Sequence, residues 1–332
     1  MVMREHRRPG HRFGLTLVDL LASIGIVGLL TSLLLPSVQT AREAARSLTC
    51  KNRLKQLSLG LVSYEAAHQV LPPGARIGPY RTMGVSWLVE VLPFIEEETL
   101  YDRYNTSSLH SGGLLLHRSN RAAVDGVRLP AFLCPSSPLA PLYPIGLTGS
   151  QVMMPSFVGI AGATSHNGFI ETRVSPCCVP ALNGEISAGG ALPPNKGVRL
   201  REVTAGLSKT LCLAESSDYA YSESGQAHRV DGGFPNGWVA GALSPGVPPL
   251  YQASYGAWNI TSVRYGLNLR DYDLPGVYEN RGANNPLLSA HPGVVNVAML
   301  DGRVLALADS LPLLELTRMA TRNDDSSAAD AR

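Results

Sequence analysis

Residue types able to do chemistry are few in this chain and widely spaced. His291 and Asp301 stand at either end of one apolar run in HPGVVNVAMLDGRVLALADS, with nine residues between them. An imidazole and a carboxylate share a proton or a metal only if they meet. Nine residues of strand at about 3.3 Å each hold these two roughly 30 Å apart, so one fold does not use both in one site. Asp301-Gly302 reads instead as a two-residue hairpin turn with positive φ expected at both positions. His291, ahead of Pro292 and Gly293, is expected to hydrogen-bond a loop or a neighbouring chain. Asn296 interrupts the first apolar run and is placed to satisfy backbone groups at a sheet edge.

Five cysteines are present, Cys50, Cys134, Cys177, Cys178 and Cys212. In an exported chain some should pair, and an odd number leaves at least one unpaired or linked to another chain. The adjacent Cys177 and Cys178 fit no zinc spacing. A vicinal disulfide and a split between two partners both stay open, and connectivity is not legible. No H-E-x-x-H, G-x-S-x-G, phosphate-binding loop or dinucleotide fingerprint occurs, so zinc peptidases, α/β-hydrolases and nucleotide enzymes lack their core motifs. The expected protein is not an enzyme. Two glycine-rich aromatic stretches, GGFPNGWVAGA and YQASYGAWNITS, suit a carbohydrate or peptide groove, but packing of Trp238 and Trp258 in the body is the preferred reading.

The elements that must position these residues follow from composition and periodicity. The chain has 332 residues and a net charge of +2; its first fourteen residues carry four arginines and one glutamate, +3, leaving −1 for the remainder. Such a balance argues against nucleic acid as a partner, since phosphate binding needs clustered Lys and Arg. Charged residues are 16%, with 33 glycines and 24 prolines, which favours a loop-rich, strand-containing body.

GLTLVDLLASIGIVGLLTSLLLP, Gly14 to Pro36, is interrupted by one acid, Asp19. Its length suits a membrane crossing of about 20 residues. The core is too long for a secretory signal and no small-residue cleavage site follows it. The basic leader keeps the N-terminus cytoplasmic. A plain anchor leaves Asp19 unexplained, because a lone acid at that depth costs about 2.5 kcal/mol or more.

Beyond Pro36 an apolar stripe runs through Val38, Ala41, Ala45 and Leu48, then Leu54, Leu57, Leu61 and Tyr64. Residues 15–68 are thus read as one helix of about 80 Å, kinked or locally melted at Pro36. TMGVSWLVEVLPFIEEETLYDRYN reads as a short helix pair, and GVRLREVTAGLSKTLCLAES as strand-turn-strand. The domain plan is a basic N-terminal segment over 1–14, a membrane helix over 15–36, its amphipathic continuation over 37–70, a β-rich body over 71–318 and a disordered tail over 319–332.

Gly14-Leu15-Thr16-Leu17-Val18-Asp19 resembles the prepilin processing site of type IV pilins and type II secretion pseudopilins, with Leu15 where phenylalanine and Asp19 where glutamate are usual. The resemblance implies cleavage between Gly14 and Leu15 by a prepilin peptidase and methylation of the new amino terminus. It also implies a role for Asp19 in pairing with the cationic terminus of a neighbouring subunit. His291, nine residues and Asp301-Gly302 resemble a C-terminal signature found beside such leaders. Together with LTCKNRLKQLSLGLVSYEAAHQVLPPG, FLCPSS and the segment ending in Glu215, they resemble domain of unknown function 1559 (DUF1559).

The implied fold is α+β and pilin-like: a long N-terminal helix on a mainly antiparallel β-sheet body. The implied partners are prepilin peptidase, like or related pilin-type subunits and the inner membrane, crossed once with the body outside. The implied function is a structural filament or pseudopilus subunit; the alternative is a solitary membrane-anchored binding protein that does not polymerise. No cofactor is expected, with calcium the one ion considered. Pseudopilins hold it in a loop of carboxylates and carbonyls near the C-terminal sheet. Asp271, Asp273 and Glu279 in LRDYDLPGVYEN are its oxygen-rich candidates.

Overall fold

A computed structural model describes residues 17–114, 117–146, 149–178, 183–233, 236–252, 256–279 and 282–323. Gly14 and Leu15 lie outside the described residues, as does the side chain of Asp19, whose backbone falls in the first turn of helix α1.

Helix α1 is Leu17–His68, 52 residues, and is unbroken at Pro36. The local melting expected there does not occur. Proline removes one backbone donor, and hydroxyls of the surrounding turns add bonds to carbonyls one turn back: Ser37 Oγ donates to Leu34 O at 2.9 Å and Thr40 Oγ1 to Ser37 O at 2.9 Å. The chain divides into two compact units, residues 1–45 and 46–332. In the first, the large apolar side chains from Leu17 to Leu35 are all exposed. α1 is long and apolar enough to cross a membrane, with a mean hydropathy of 2.0 in its most apolar window. That makes it a candidate membrane anchor or signal sequence.

In the second unit, α1 buries one stripe, Cys50, Leu54, Leu57 and Leu61, spaced four, three and four residues apart. Val38 and Leu48 stay 46% and 59% exposed, so the apolar ends of the first half of the expected stripe are not buried among the described residues. Gly60 permits close approach of the helix to the loop at Ile95, whose Cγ2 would lie 2.8 Å from an added Cβ.

Thirteen strands and four more helices are found among the described residues. β1 (Ala75–Ile77) pairs with β2 (Met83–Ser86), ahead of α2 (Trp87–Glu90), α3 (Glu98–Arg103) and α4 (Arg118–Val124). β3 (Leu142–Pro144) pairs with β4 (Gln151–Met153), β6 (Val174–Cys177) with β7 (Gly184–Ser187), and β9 (Ser217–Tyr221) with β10 (Ala227–Asp231). The central sheet holds β5 (Phe157–Ala163), β8 (Leu211–Glu215), β11 (Ile260–Val263), β12 (Val294–Met299) and β13 (Val304–Ala308), in the order β11-β5-β8-β12-β13. Only β11–β5 is parallel in it. The class is α+β with antiparallel and mixed sheets.

Alternation along the strands sends side chains to two faces. Val158, Ile160, Val295, Val297 and Met299 share an apolar cluster with Leu316 of α5 (Leu313–Met319). On the other face Phe157, Ala161, Leu213 and Ala298 join Trp87 and the α1 stripe. Cys212 is the extra residue where β8 pairs with β12, since Ala298 and Met299 face Leu213 and Leu211.

Three local expectations are corrected. Within GVRLREVTAGLSKTLCLAES only β8 is a strand, and Leu200–Glu202 forms a 3-10 turn. The ordered core continues past residue 318: Arg322 is 5% exposed, and its Nη1 donates to Gly190 O at 2.9 Å. The β12–β13 turn has three residues, not two: Gly302 N donates to Met299 O at 2.9 Å and Met299 N to Arg303 O at 2.8 Å. Positive φ is needed only at Gly302, 81°, the signature of a type I turn followed by a left-handed glycine.

Candidate functional site

Four segments far apart in sequence meet on the α1 face of the sheet. Cys50 comes from α1, Cys134 from the loop after the 3-10 turn Pro130–Phe132, Glu215 from the last position of β8 and His291 from the loop entering β12. Their ligand-type atoms all lie within 4.8 Å of one another, and all four residues are buried. Cys50 and Cys134 are joined as a disulfide across 84 residues. By chain-entropy reasoning a loop of that length contributes about 4.5 kcal/mol. Arg53 reinforces the same junction, its Nη1 donating to Leu133 O at 2.6 Å.

His291 Nε2 sits 3.4 Å from Glu215 Oε1 and 3.5 Å from Cys134 Sγ. The side chains of His291 and Glu215 are each 2% exposed. A buried carboxylate is costly unless its lone pairs are taken, and here they are. Ser289 Oγ donates to Glu215 Oε2 at 2.7 Å, Asn296 N to Oε2 at 3.0 Å and Asn296 Nδ2 to Oε1 at 3.1 Å. His291 N in turn donates to Ser289 Oγ at 3.1 Å.

Asn296 therefore does not serve a sheet edge. β12 lies between β8 and β13, and Asn296 spends its amide on Glu215 while its own Oδ1 is buried without a partner among the described residues. An orphaned acceptor costs stability, so this asparagine is explained by the carboxylate it orients.

His291 and Asp301 are kept apart, one ahead of β12 and the other after it. Asp301 is spent on its own turn, accepting from Arg303 N at 3.0 Å and Arg303 Nε at 2.7 Å. Slight desolvation acts to raise its carboxyl pKa, but these bonds and the Arg303 charge hold it below the usual range. Lys55 Nζ, on α1, donates to Gly302 O at 2.6 Å, which docks the turn on the helix.

Asp271, Asp273 and Glu279 do not gather their oxygens into a metal-type cluster among the described residues. Asp271 Oδ1 instead accepts from Asp273 N at 3.0 Å, and Asp273 Oδ2 from Glu223 N at 2.6 Å. Cys177 and Cys178 form a vicinal disulfide, and Cys212 is a buried free thiol donating to Ala298 O at 3.3 Å. Trp238 and Trp258 are packed in the body, 0% and 5% exposed.

The family profile for a protein of unknown function, DUF1559, matches residues 39–314. The chain belongs to the DUF1559 family. No curated protein and no solved structure matches it. The matched span of this DUF1559 chain contains Cys50, Cys134, Glu215, His291 and the Asp301-Gly302 turn, and it begins after the prepilin-like segment. Each of the four stretches that carry the family resemblance delivers one member of the buried cluster. That coincidence is the signal a reading of single motifs misses, because no two of the four lie within 70 residues of each other.

Proposed function

We propose that this DUF1559 protein is a structural, pilin-like subunit rather than an enzyme. A prepilin peptidase removes residues 1–14, and α1 holds the chain in the inner membrane until it packs against its equivalents in a filament or pseudopilus. The observation that carries this reading is α1 itself. It is one continuous helix whose first half is apolar and exposed all round from Leu17 to Leu35, while its second half buries a single stripe in the body. A helix apolar on every side needs an apolar environment, and a bilayer and a bundle of like helices each supply one. Asp19, in its first turn, supports the bundle, because a buried acid is tolerated when a neighbour's amino terminus pairs with it.

The second reading, a solitary anchored binding protein, draws on a cavity of about 440 Å³ lined by Tyr64, His68, Lys196 and Glu202 among others. Intact mass and N-terminal residue of the protein from its native membrane separate the two. A chain beginning at Leu15 and heavier by one methyl group supports processing, whereas one beginning at Met1 leaves the anchored binding protein. Asp19→Ala then tests assembly: the filament reading expects a folded, membrane-bound variant that no longer polymerises. Filaments in wild-type yield would refute the pairing role.

A further inference from the structure

We propose that reduction of the Cys50–Cys134 disulfide turns the buried cluster into a metal site for a zinc-class ion, with two thiolates, the His291 imidazole and the Glu215 carboxylate as ligands. Two thiolates with one nitrogen and one oxygen form a donor set that suits tetrahedral Zn²⁺. Bond lengths of about 2.3 Å to sulfur and about 2.0–2.1 Å to nitrogen and oxygen set tetrahedral edges of about 3.6 Å for N···S and about 3.3 Å for N···O. The corresponding separations in the protein are 3.5 Å from His291 Nε2 to Cys134 Sγ and 3.4 Å from His291 Nε2 to Glu215 Oε1. Two edges of the coordination sphere are thus in place while the sulfurs are still bonded to each other.

The shell behind these ligands is also built. Ser289 Oγ and Asn296 N hold Glu215 Oε2, while Oε1, which also accepts from Asn296 Nδ2, faces the imidazole. Outer partners of this kind orient carboxylate ligands. Access is through Cys134, which is 8% exposed and lines a cavity of about 250 Å³ with Arg53, Ser137 and Asp231 among its walls.

A dithiol donor gives the disulfide two electrons and two protons and closes to its own disulfide; Cys50 and Cys134 become thiols. The incoming Zn²⁺ displaces both thiol protons to solvent. Oxidation runs the sequence backwards, expelling the ion as the sulfurs rejoin. The cluster is therefore either a closed staple or a metal centre, according to the redox state of two cysteines.

The test uses the full chain in detergent, with Co²⁺ as the probe. The protein is reduced with a phosphine, freed of reductant without air and titrated with Co²⁺, alongside the oxidised protein. Expected is one equivalent bound only after reduction, with sulfur-to-cobalt charge transfer and the visible bands of a tetrahedral cobalt thiolate, displaced by Zn²⁺. The double variant Cys177→Ser/Cys178→Ser should bind as wild type does, while Cys50→Ser and His291→Ala should lose the spectrum. Ser289→Ala, which removes a group behind Glu215, should weaken binding about 10- to 100-fold. If thiol titration proves both cysteines reduced, circular dichroism proves the fold retained and no cobalt thiolate appears, the proposal is wrong. It is equally wrong if Cys177→Ser/Cys178→Ser abolishes the spectrum.

Discussion

Replacing His291 by alanine probes whether the buried cluster is a coupled unit. The imidazole faces Glu215 at 3.4 Å with both side chains 2% exposed. Losing a partner of a buried carboxylate costs about 1.5–3 kcal/mol, and the space left by a ring adds about 1–2 kcal/mol. Three donors remain on Glu215, from Ser289 Oγ, Asn296 N and Asn296 Nδ2, so the lower ends apply and the total is about 2.5 kcal/mol. In a Glu215→Gln background the charge is already gone, and only the space term should persist.

The double-mutant cycle should therefore return a coupling of about 1.5 kcal/mol or more. Urea unfolding of the oxidised protein reads it, followed by fluorescence of Trp87, Trp238 and Trp258, which are 0%, 0% and 5% exposed. The expected signature is a shifted midpoint at unchanged slope. A coupling below about 0.5 kcal/mol, the usual additivity error, would mean that His291 and Glu215 are neighbours without mutual dependence.

Two further outcomes test the packing around this site. Leu57→Ala, at a position that is 0% exposed, should cost about 2–5 kcal/mol. Leu48→Ala, on the same helix but 59% exposed, should stay within about 0.5 kcal/mol in the same assay; equal effects would contradict the single-stripe docking of α1. Burial pushes the Cys212 thiol from 9.0 up to about 12. The folded chain thus keeps a proton that the unfolded chain releases, and stability should fall as pH climbs through that window. The stability of wild type relative to Cys212→Ala should shrink over the same range, and a constant difference would refute the burial argument.

Local chemistry and periodicity are legible in the linear sequence because they depend on neighbours. The apolar length and single acid of Gly14–Pro36 mark a membrane-competent helix. The spacing of Leu54, Leu57 and Leu61 marks the stripe that α1 buries, and Asp301-Gly302 marks a turn between two strands. Even these have limits. Val38 and Leu48 carry the same periodicity as the buried leucines yet stay exposed, since a period states which residues share a face and not whether anything covers it. The turn's glycine is evident, but a three-residue loop and a two-residue one differ only in hydrogen bonds that the strands decide.

Tertiary structure alone decides the cluster. Cys50, Cys134, Glu215 and His291 are brought together by the order of β8 and β12 in the sheet and by the docking of α1 across it. Contacts between segments this distant depend on strand order and on which faces pack, and neither is written in any one segment. His291 reads as a loop residue in the sequence because its partner there, Asp301, sits at the far end of the same strand. Its spatial partner, Glu215, ends the neighbouring strand.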